Sequence, residues 1–264
     1  MRKKIKCDRI CRKTAVFTAV FCVIVFSSVS AQPLRLVTLS SPPAEFLKEG
    51  RAAGRNVDIV RTVLGKMGYD FEIRFLPWQR ALMMVKTGEA DGIIDVAWNS
   101  ERAKYLHYPE ETLYVEQWYG FKLKSSPLSL DRKLGNAGAI RLGVTRGFEY
   151  GGIIQEAING KWFKAIQVVH NNELNLTKLV GNRFDMFIGV KLTILSLAKE
   201  MGLQDRIEII KMTGTDQDFL LSASKTYLGF SKKTMKKELA EEFSKVLSSI
   251  KTEGIVREIE EKYY

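Results

Sequence analysis

From residue 34 onward, short apolar runs alternate with segments whose apolar residues recur at helical spacing, and this alternation restricts the possible folds more than any other feature. Residues 34–39 read as a buried strand. Val57, Val60, Leu64 and Met67 fall on one helical face, with Asn56 placed to cap it. Phe71, Ile73 and Phe75 alternate with Glu72 and Arg74, the period of a strand solvated on one face. Trp78, Ala81, Leu82 and Val85 return to helical spacing, residues 91–96 read as the next strand, and Ser100 is placed to cap a short helix carrying Glu101 and Arg102. Strands that alternate with helices in this way predict an α/β fold whose sheet is mainly parallel and flanked by helices.

Tyr119, Phe121 and Leu123 mark a further strand, after which residues 124–138 collect Ser, Pro, Asn and Gly and read as a boundary. A second α/β run begins at residues 141–145, with strands expected at 166–169, 185–190 and 207–211 and helices between them. Residues 219–222 are apolar without a clear period, and 227–231 read as a strand returning to the first half. Leu239, Phe243, Val246, Leu247 and Ile250 define a long amphipathic helix that Gly254 ends, with a short helix possible over 255–263.

The first thirty-one residues have a different character. Arg2, Lys3, Lys4, Lys6, Arg9, Arg12 and Lys13 precede an apolar run from Ala15 to about Val29, and Val29-Ser30-Ala31 supplies small residues at the cleavage positions. This order predicts a secretory signal cleaved after Ala31, which places the remaining chain in the periplasm; the run is shorter than the roughly 20 apolar residues a membrane-spanning helix needs. The leader's seven basic residues and one acid, Asp8, account for six of the eleven net positive charges, leaving about five for residues 32–264. That mild excess is no nucleic-acid footprint. Cys7, Cys11 and Cys22 all lie in the leader, so the exported chain has no disulfide, thiolate metal site or cysteine nucleophile.

Catalytic and cofactor signatures are missing. His107 and His170 stand in no metal-ligand spacing, no G-x-S-x-G elbow or phosphate-binding G-x-x-x-x-G-K-[ST] loop occurs, and Asp216-Gln217-Asp218 lacks the glycine and later acid of a calcium loop. No cofactor, metal or catalytic residue is expected.

Several segments together resemble the family 3 periplasmic solute-binding proteins. They are Ser41-Pro42-Pro43-Ala44-Glu45-Phe46, Gly54-Arg55-Asn56-Val57-Asp58-Ile59-Val60, Leu76-Pro77-Trp78-Gln79-Arg80-Ala81-Leu82, Gly88-Glu89-Ala90-Asp91-Gly92-Ile93-Ile94, Asn99-Ser100-Glu101-Arg102 with Tyr108-Pro109, Tyr227-Leu228-Gly229-Phe230-Ser231-Lys232, and the closing run 254–263. The resemblance implies a two-lobed periplasmic binding protein fold with two hinge strands, near 119–124 and 225–231. Lobe 1 would comprise residues 32–121 plus 227–264, and lobe 2 residues 122–226. A ligand would lie between them, at strand ends and helix N-termini.

The same resemblance implies a ligand set. Arg102 would hold a carboxylate through two charge-assisted bonds, and Trp78 and Trp98 would stack on the ligand. Asp95 would accept from a cationic group, with Ala97 beside it. Glu45 and Phe46 would contribute from the first cleft loop, and Gly147, Phe148, Glu149 and Tyr150 from a strand-to-helix turn with free N–H groups. Val190 stands where relatives that bind α-amino acids carry an acid, which argues against an ordinary α-amino acid held in the usual manner. The expected protein is a monomer that captures a small polar, carboxylate-bearing solute, delivers it to an ABC permease and contacts no nucleic acid. The rivals are a dehydratase-like periplasmic enzyme on the same fold, and a ligand sensor for a receptor.

Overall fold

The apolar runs become strands of one continuous sheet. The computed structural model describes residues 32–263; the leader, with its predicted signal and cleavage site, lies outside the described residues. In chain order the elements are β1 (Leu34–Thr38), β2 (Phe46–Lys48), β3 (Arg51–Ala53), α1 (Arg55–Lys66), β4 (Phe71–Phe75), α2 (Trp78–Thr87), β5 (Gly92–Ala97), α3 (Ser100–Ala103), β6 (Leu106–His107), β7 (Tyr114–Leu123), β8 (Arg141–Thr145), α4 (Gly152–Asn159), β9 (Ala165–Val169), α5 (Asn172–Val180), β10 (Met186–Val190), α6 (Lys191–Glu200), β11 (Ile207–Ile209), β12 (Leu220–Ser231), α7 (Lys237–Thr252) and α8 (Ile255–Glu260).

The main sheet runs β4-β1-β5-β12-β7-β10-β8-β9, with β11 against β7 and β6 against β12. Its two ends are parallel: β1 pairs with β4 and β5, and β8 pairs with β9 and β10. The middle is antiparallel, because β12 and β7 pair with each other and with β5 and β10. Parallel strands need crossover helices, so each end carries its own apolar layers. On the β1 side Leu36, Ile59, Val63, Leu64, Phe230, Phe243 and Leu247 form one core. On the β8 side Leu142, Tyr150 and Ile154 pack on one face and Phe121, Phe184, Phe187 and Ile194 on the other. Among the described residues, only β7 and β12, paired from Tyr114 to Tyr119, cross the middle.

The structure moves some details of the sequence reading. Asn56 does not cap α1; Gly54 does, with φ of 121°, and a Cβ there would sit 2.3 Å from the carbonyl oxygen of Ala44. Asn56 is thereby released to the interior. The cap of α3 is Asn99 rather than Ser100, its side chain accepting the Arg102 N–H at 2.8 Å. The uncertain stretch, from Leu220 on, and the strand expected at 227–231 are one strand, β12. The hairpin of β2 and β3, which the sequence reading did not anticipate, turns at Glu49 and Gly50, both at positive φ.

Candidate functional site

The ends of β1 and β5 on one side, and the start of α6 with the turn after β8 on the other, enclose a cavity of about 40 Å3. It is lined by Leu39, Ser41, Trp78, Asp95, Ala97 and Arg102 from the β1 side, Glu116 and Trp118 from β7, and Phe148, Glu149, Asn172, Val190 and Thr193 from the β8 side. Past Trp78, Phe148 and Thr193 it meets an outer chamber of about 330 Å3 that also includes His170. Strand ends and helix N-termini converge here because the β1-side and β8-side sheets both direct their carboxyl ends at the crevice between them.

Hydrogen bonds cross that crevice. Gly147 lies at φ 75° in the turn after β8, a left-handed conformation that glycine adopts at no steric cost. Its carbonyl accepts from Trp78 Nε1 at 2.9 Å and from Arg102 Nη2 at 2.7 Å. Arg102 Nη1 donates to the carbonyl of Ala97 at 2.8 Å, and its guanidinium lies 5.8 Å from the Trp78 ring centre. Asn99 caps α3 with its oxygen and with its amide nitrogen reaches Glu149 Oε2 at 2.8 Å. Ser41 Oγ and Thr193 Oγ1 are 3.1 Å apart. Phe148 sets its ring edge-on to both Trp78 and Trp118, at 6.3 and 5.9 Å between centroids.

Behind the cavity lies an acidic cluster. β5 advances three residues from Ile93 to Val96 while its partner β12 advances two, from Gly229 to Tyr227. The extra residue is a bulge, a device that re-aims a side chain, and Asp95 within it has φ of 65°. For a non-glycine residue such a conformation costs of order 1 kcal/mol, and aspartate tolerates it better than most. Asp95 is 8% exposed and Glu45 fully buried. Asn56 donates to Glu45 Oε1 and receives a bond from Arg55 Nε at 3.0 Å. Glu116 is half-buried as a residue, but its carboxyl abuts Asp95. Burial pushes the Glu45 carboxyl well above the ordinary carboxylate range and neighbouring Asp95 adds to this, while Asn56 and Arg55 pull the other way. Burial likewise raises Asp95 and Glu116, and repulsion from Asp95 and Glu45 raises Glu116 further. Three buried side-chain atoms here lack a partner: Glu45 Oε2, Asp95 Oδ1 and Trp118 Nε1.

Of the residues expected at the site, Trp78, Asp95, Ala97, Arg102, Phe148, Glu149 and Val190 line the cavity, with Gly147 bonded to two of them. Trp98 is 57% exposed and does not line it. Glu45 sits behind the wall against Asn56, and Phe46 lies in β2 with its ring against Tyr263. Tyr150 is buried in the β8-side core, its hydroxyl accepting the Thr145 N–H at 2.7 Å. The turn does not open directly into a helix, because α4 begins only at Gly152. Its Phe148 and Tyr150 N–H groups are taken, by Thr145 O at 3.2 Å and Gln155 Oε1 at 2.9 Å. At the end of β10 the position discussed above presents the apolar Val190, with Thr193 the polar group nearby in the cavity. Sequence reasoning missed Ser41, Glu116, Trp118, Asn172 and Thr193. The alternation in Tyr114-Val115-Glu116-Gln117-Trp118 could have extended the strand at 119–123 back to Glu116; nothing local marks the others.

Comparisons with known proteins agree with this architecture. No curated protein sequence matches the chain. Among solved structures, a histidine kinase sensor domain with similarity to periplasmic binding proteins superposes with a TM-score of 0.74 at 19% identity, over 88% of this chain and 96% of that one. An ancestral arginine-binding protein bound to arginine gives 0.73 at 17% identity, over 88% and 98%. The arginine-, lysine-, histidine-binding protein ArtJ from Geobacillus stearothermophilus gives 0.70 at 17%, over 88% and 95%. At such identities these likenesses speak for the fold alone. Residues 34–264 match the bacterial extracellular solute-binding proteins, family 3. A sheet parallel at both ends, crossed by β7 and β12 and enclosing an aromatic and charged crevice, is what that match leads one to expect, and the chain belongs to this family.

Proposed function

We propose that this protein is exported, loses its leader after Ala31, and works in the periplasm as a monomeric receptor for a small polar solute. Lobe 1 (32–121 plus 227–264) and lobe 2 (122–226) close over the solute, and the loaded protein delivers it to an ABC permease. The observation that carries the reading is the pair of bonds from Trp78 and Arg102 to the Gly147 carbonyl, which join the two sides across a lined cavity. One Arg102 N–H is engaged by Gly147 and another by the Ala97 carbonyl, so a solute carboxylate would take the remaining donors or displace Gly147 when the crevice opens. Opening is required for entry, because a cavity of about 40 Å3 has room for only a few water molecules. The protein's role is binding rather than catalysis; incubation with bound solute should give no product by NMR.

A thermal-shift screen of polar metabolites, followed by small-angle scattering, tests the reading. A bound solute should reduce the radius of gyration, since a ligand that touches both lobes favours the closed state. An unchanged radius at saturation would refute it. Mass spectrometry of the exported chain should find Gln32 first. A sensory role is the second reading, favoured by the likeness to a histidine kinase sensor domain. Crosslinking of the loaded protein in membranes separates the two, by capture of a permease or of a kinase.

A further inference from the structure

The two ends of the main sheet are built differently. β4 closes one end and carries Glu72 and Arg74, both exposed, within the strand itself. Charges so placed keep an edge strand from pairing with a foreign chain. β9 closes the other end with Ala-Ile-Gln-Val-Val, which holds no charge and no proline, and its register with β8 is unbroken from Ala165 to Val169. Parallel pairing decides which of its backbone groups are left over. The Val169 carbonyl accepts the Arg146 N–H at 2.8 Å, so Ala165, Gln167 and Val169 turn their backbone groups to β8. Ile166 and Val168 turn theirs to the open side, where no further strand pairs among the described residues. Val168 is 52% exposed, and Trp162, just before the strand, 43%.

The charge around this edge has one sign. Residues 122–226 hold fifteen basic and ten acidic side chains, while the rest of 32–264 holds nineteen of each, so the whole positive excess lies in the part that contains β9. Five of the fifteen surround the strand. Lys161 and Lys164 precede it, and Arg146 sits at its carboxyl end. Lys178 Nζ donates to Gln167 Oε1 at 3.3 Å, and Gln167 Nε2 donates to the Arg183 carbonyl at 3.0 Å. Among the described residues none of the five is in an ion pair; Asp185, whose carboxyl feels Lys164, is already held by Arg141 at 2.7 Å. Glu156 and Glu173, exposed on the flanking helices α4 and α5, make no ion pair with them either.

We propose that β9 is a docking edge, which an extended acidic segment of a partner protein joins as an additional strand. The segment's backbone pairs with the open groups of Ile166 and Val168. Side chains alternate between the two faces of a strand, so acidic residues at every second position meet Lys178 on the Gln167 face, and the apolar residues between them cover Val168 on the other. Lys161, Lys164 and Arg146 hold the segment's ends. A second copy of this chain is a poor occupant, because it brings the same five cations to the same line, and like charges placed opposite each other oppose pairing. An anionic lipid surface answers the cations but leaves the open N–H and C=O groups without strand partners. The proposal goes beyond the solute-binding reading and does not depend on it.

The probe is a short fluorescein-labelled peptide alternating glutamate and valine, titrated by fluorescence anisotropy up to millimolar protein. Its controls are the same peptide N-methylated at every second residue, a lysine-valine peptide, and vesicles of phosphatidylethanolamine with phosphatidylglycerol. The glutamate-valine peptide should bind, more weakly as salt is raised, and the lysine-valine peptide should not. N-methylation should weaken binding about tenfold or more, since it removes several edge bonds at once. Lys161→Glu with Lys164→Glu should weaken it roughly five- to tenfold, and Val168→Pro several-fold, because proline removes an N–H that faces away from β8. In hydrogen exchange followed by NMR, the Ile166 and Val168 amides of the free protein should exchange fast and slow down when the peptide is added. Circular dichroism checks that the variants fold; should one fail, the N-methylated peptide and the exchange data on the unaltered chain carry the test. No binding of the glutamate-valine peptide at millimolar concentration overturns the proposal, as does equal binding of its N-methylated form. Vesicles bound through Lys161 and Lys164 while the peptide is ignored would overturn it in favour of a membrane surface. Slow exchange at Ile166 and Val168 in the free protein, with a dimer in sedimentation, would overturn it in favour of a second copy.

Discussion

Replacing Trp78 with phenylalanine removes one hydrogen bond of the proposed closed state while keeping an aromatic ring to face Phe148. Trp78 Nε1 reaches the Gly147 carbonyl at 2.9 Å, from the start of α2 to the turn after β8. A neutral hydrogen bond contributes about 0.5–1.5 kcal/mol net, and the upper part of that range or more applies when the partner is left orphaned. Here it is not, because Arg102 Nη2 still donates to the same oxygen at 2.7 Å. The expected loss is therefore about 1 kcal/mol, or roughly a fivefold shift from closed to open. Trp78 also packs with Ala81, Val85 and Ile93 on the β1 side, so the smaller ring lowers overall stability as well. That second loss is common to open and closed forms and cancels in their ratio. Residues 32–264 contain no cysteine, so dyes on Lys86→Cys and Lys199→Cys, both exposed, report the distance between α2 and α6. Single-molecule energy transfer should show the open population growing about fivefold, with solute affinity falling by a similar factor. A variant with a lowered melting temperature but an unchanged open fraction would refute the argument that this bond spans a moving interface.

Further consequences can be checked in the same protein. Arg102→Ala removes the charge-assisted bond that crosses the crevice to the Gly147 carbonyl, the bond to Ala97 being on its own side, so it should open the protein more than Trp78→Phe does, by about 1.5–3 kcal/mol on the same distance assay, and Arg102→Lys should not restore the closed form because an ammonium cannot hold the planar fork that reaches both carbonyls. Gly54→Ala should destabilise the chain by more than about 2 kcal/mol in urea unfolding, since its Cβ would meet the Ala44 backbone at 2.3 Å and its φ of 121° suits only glycine; a loss under 1 kcal/mol would refute this. Glu45, Asp95 and Glu116 bind protons more tightly when folded than when unfolded, so their contribution to stability is fully present below the ordinary carboxylate range and is lost as pH rises through the raised values. Glu45→Gln should raise stability at neutral pH and flatten that slope in melts taken across pH; a parent profile that does not fall would contradict the burial argument.

Much of this fold was legible in the order of residues, because its elements advertise themselves locally. The alternating Phe71, Ile73 and Phe75 and the apolar run read at residues 91–96 became β4 and β5, and the stripe through Leu239, Phe243 and Leu247 became α7. Period and burial are properties of neighbours in sequence, so they survive without a structure. Arg102 and Trp78 were likewise reachable, through segments whose order resembles a family. Tertiary contact decided the rest. Whether Asp95 faces the crevice depends on an extra residue in β5 relative to a β12 that lies more than 120 positions away in the chain. Asn56 became a partner of Glu45 rather than a helix cap because Gly54 ends the preceding loop at an angle other residues avoid. Glu116 and Trp118 read as ordinary positions before a strand, and acquire meaning only because β7 carries them between two sheets onto a buried aspartate and a row of aromatic rings. A charge environment is a sum over atoms brought together from distant parts of the chain, and no local pattern encodes that sum.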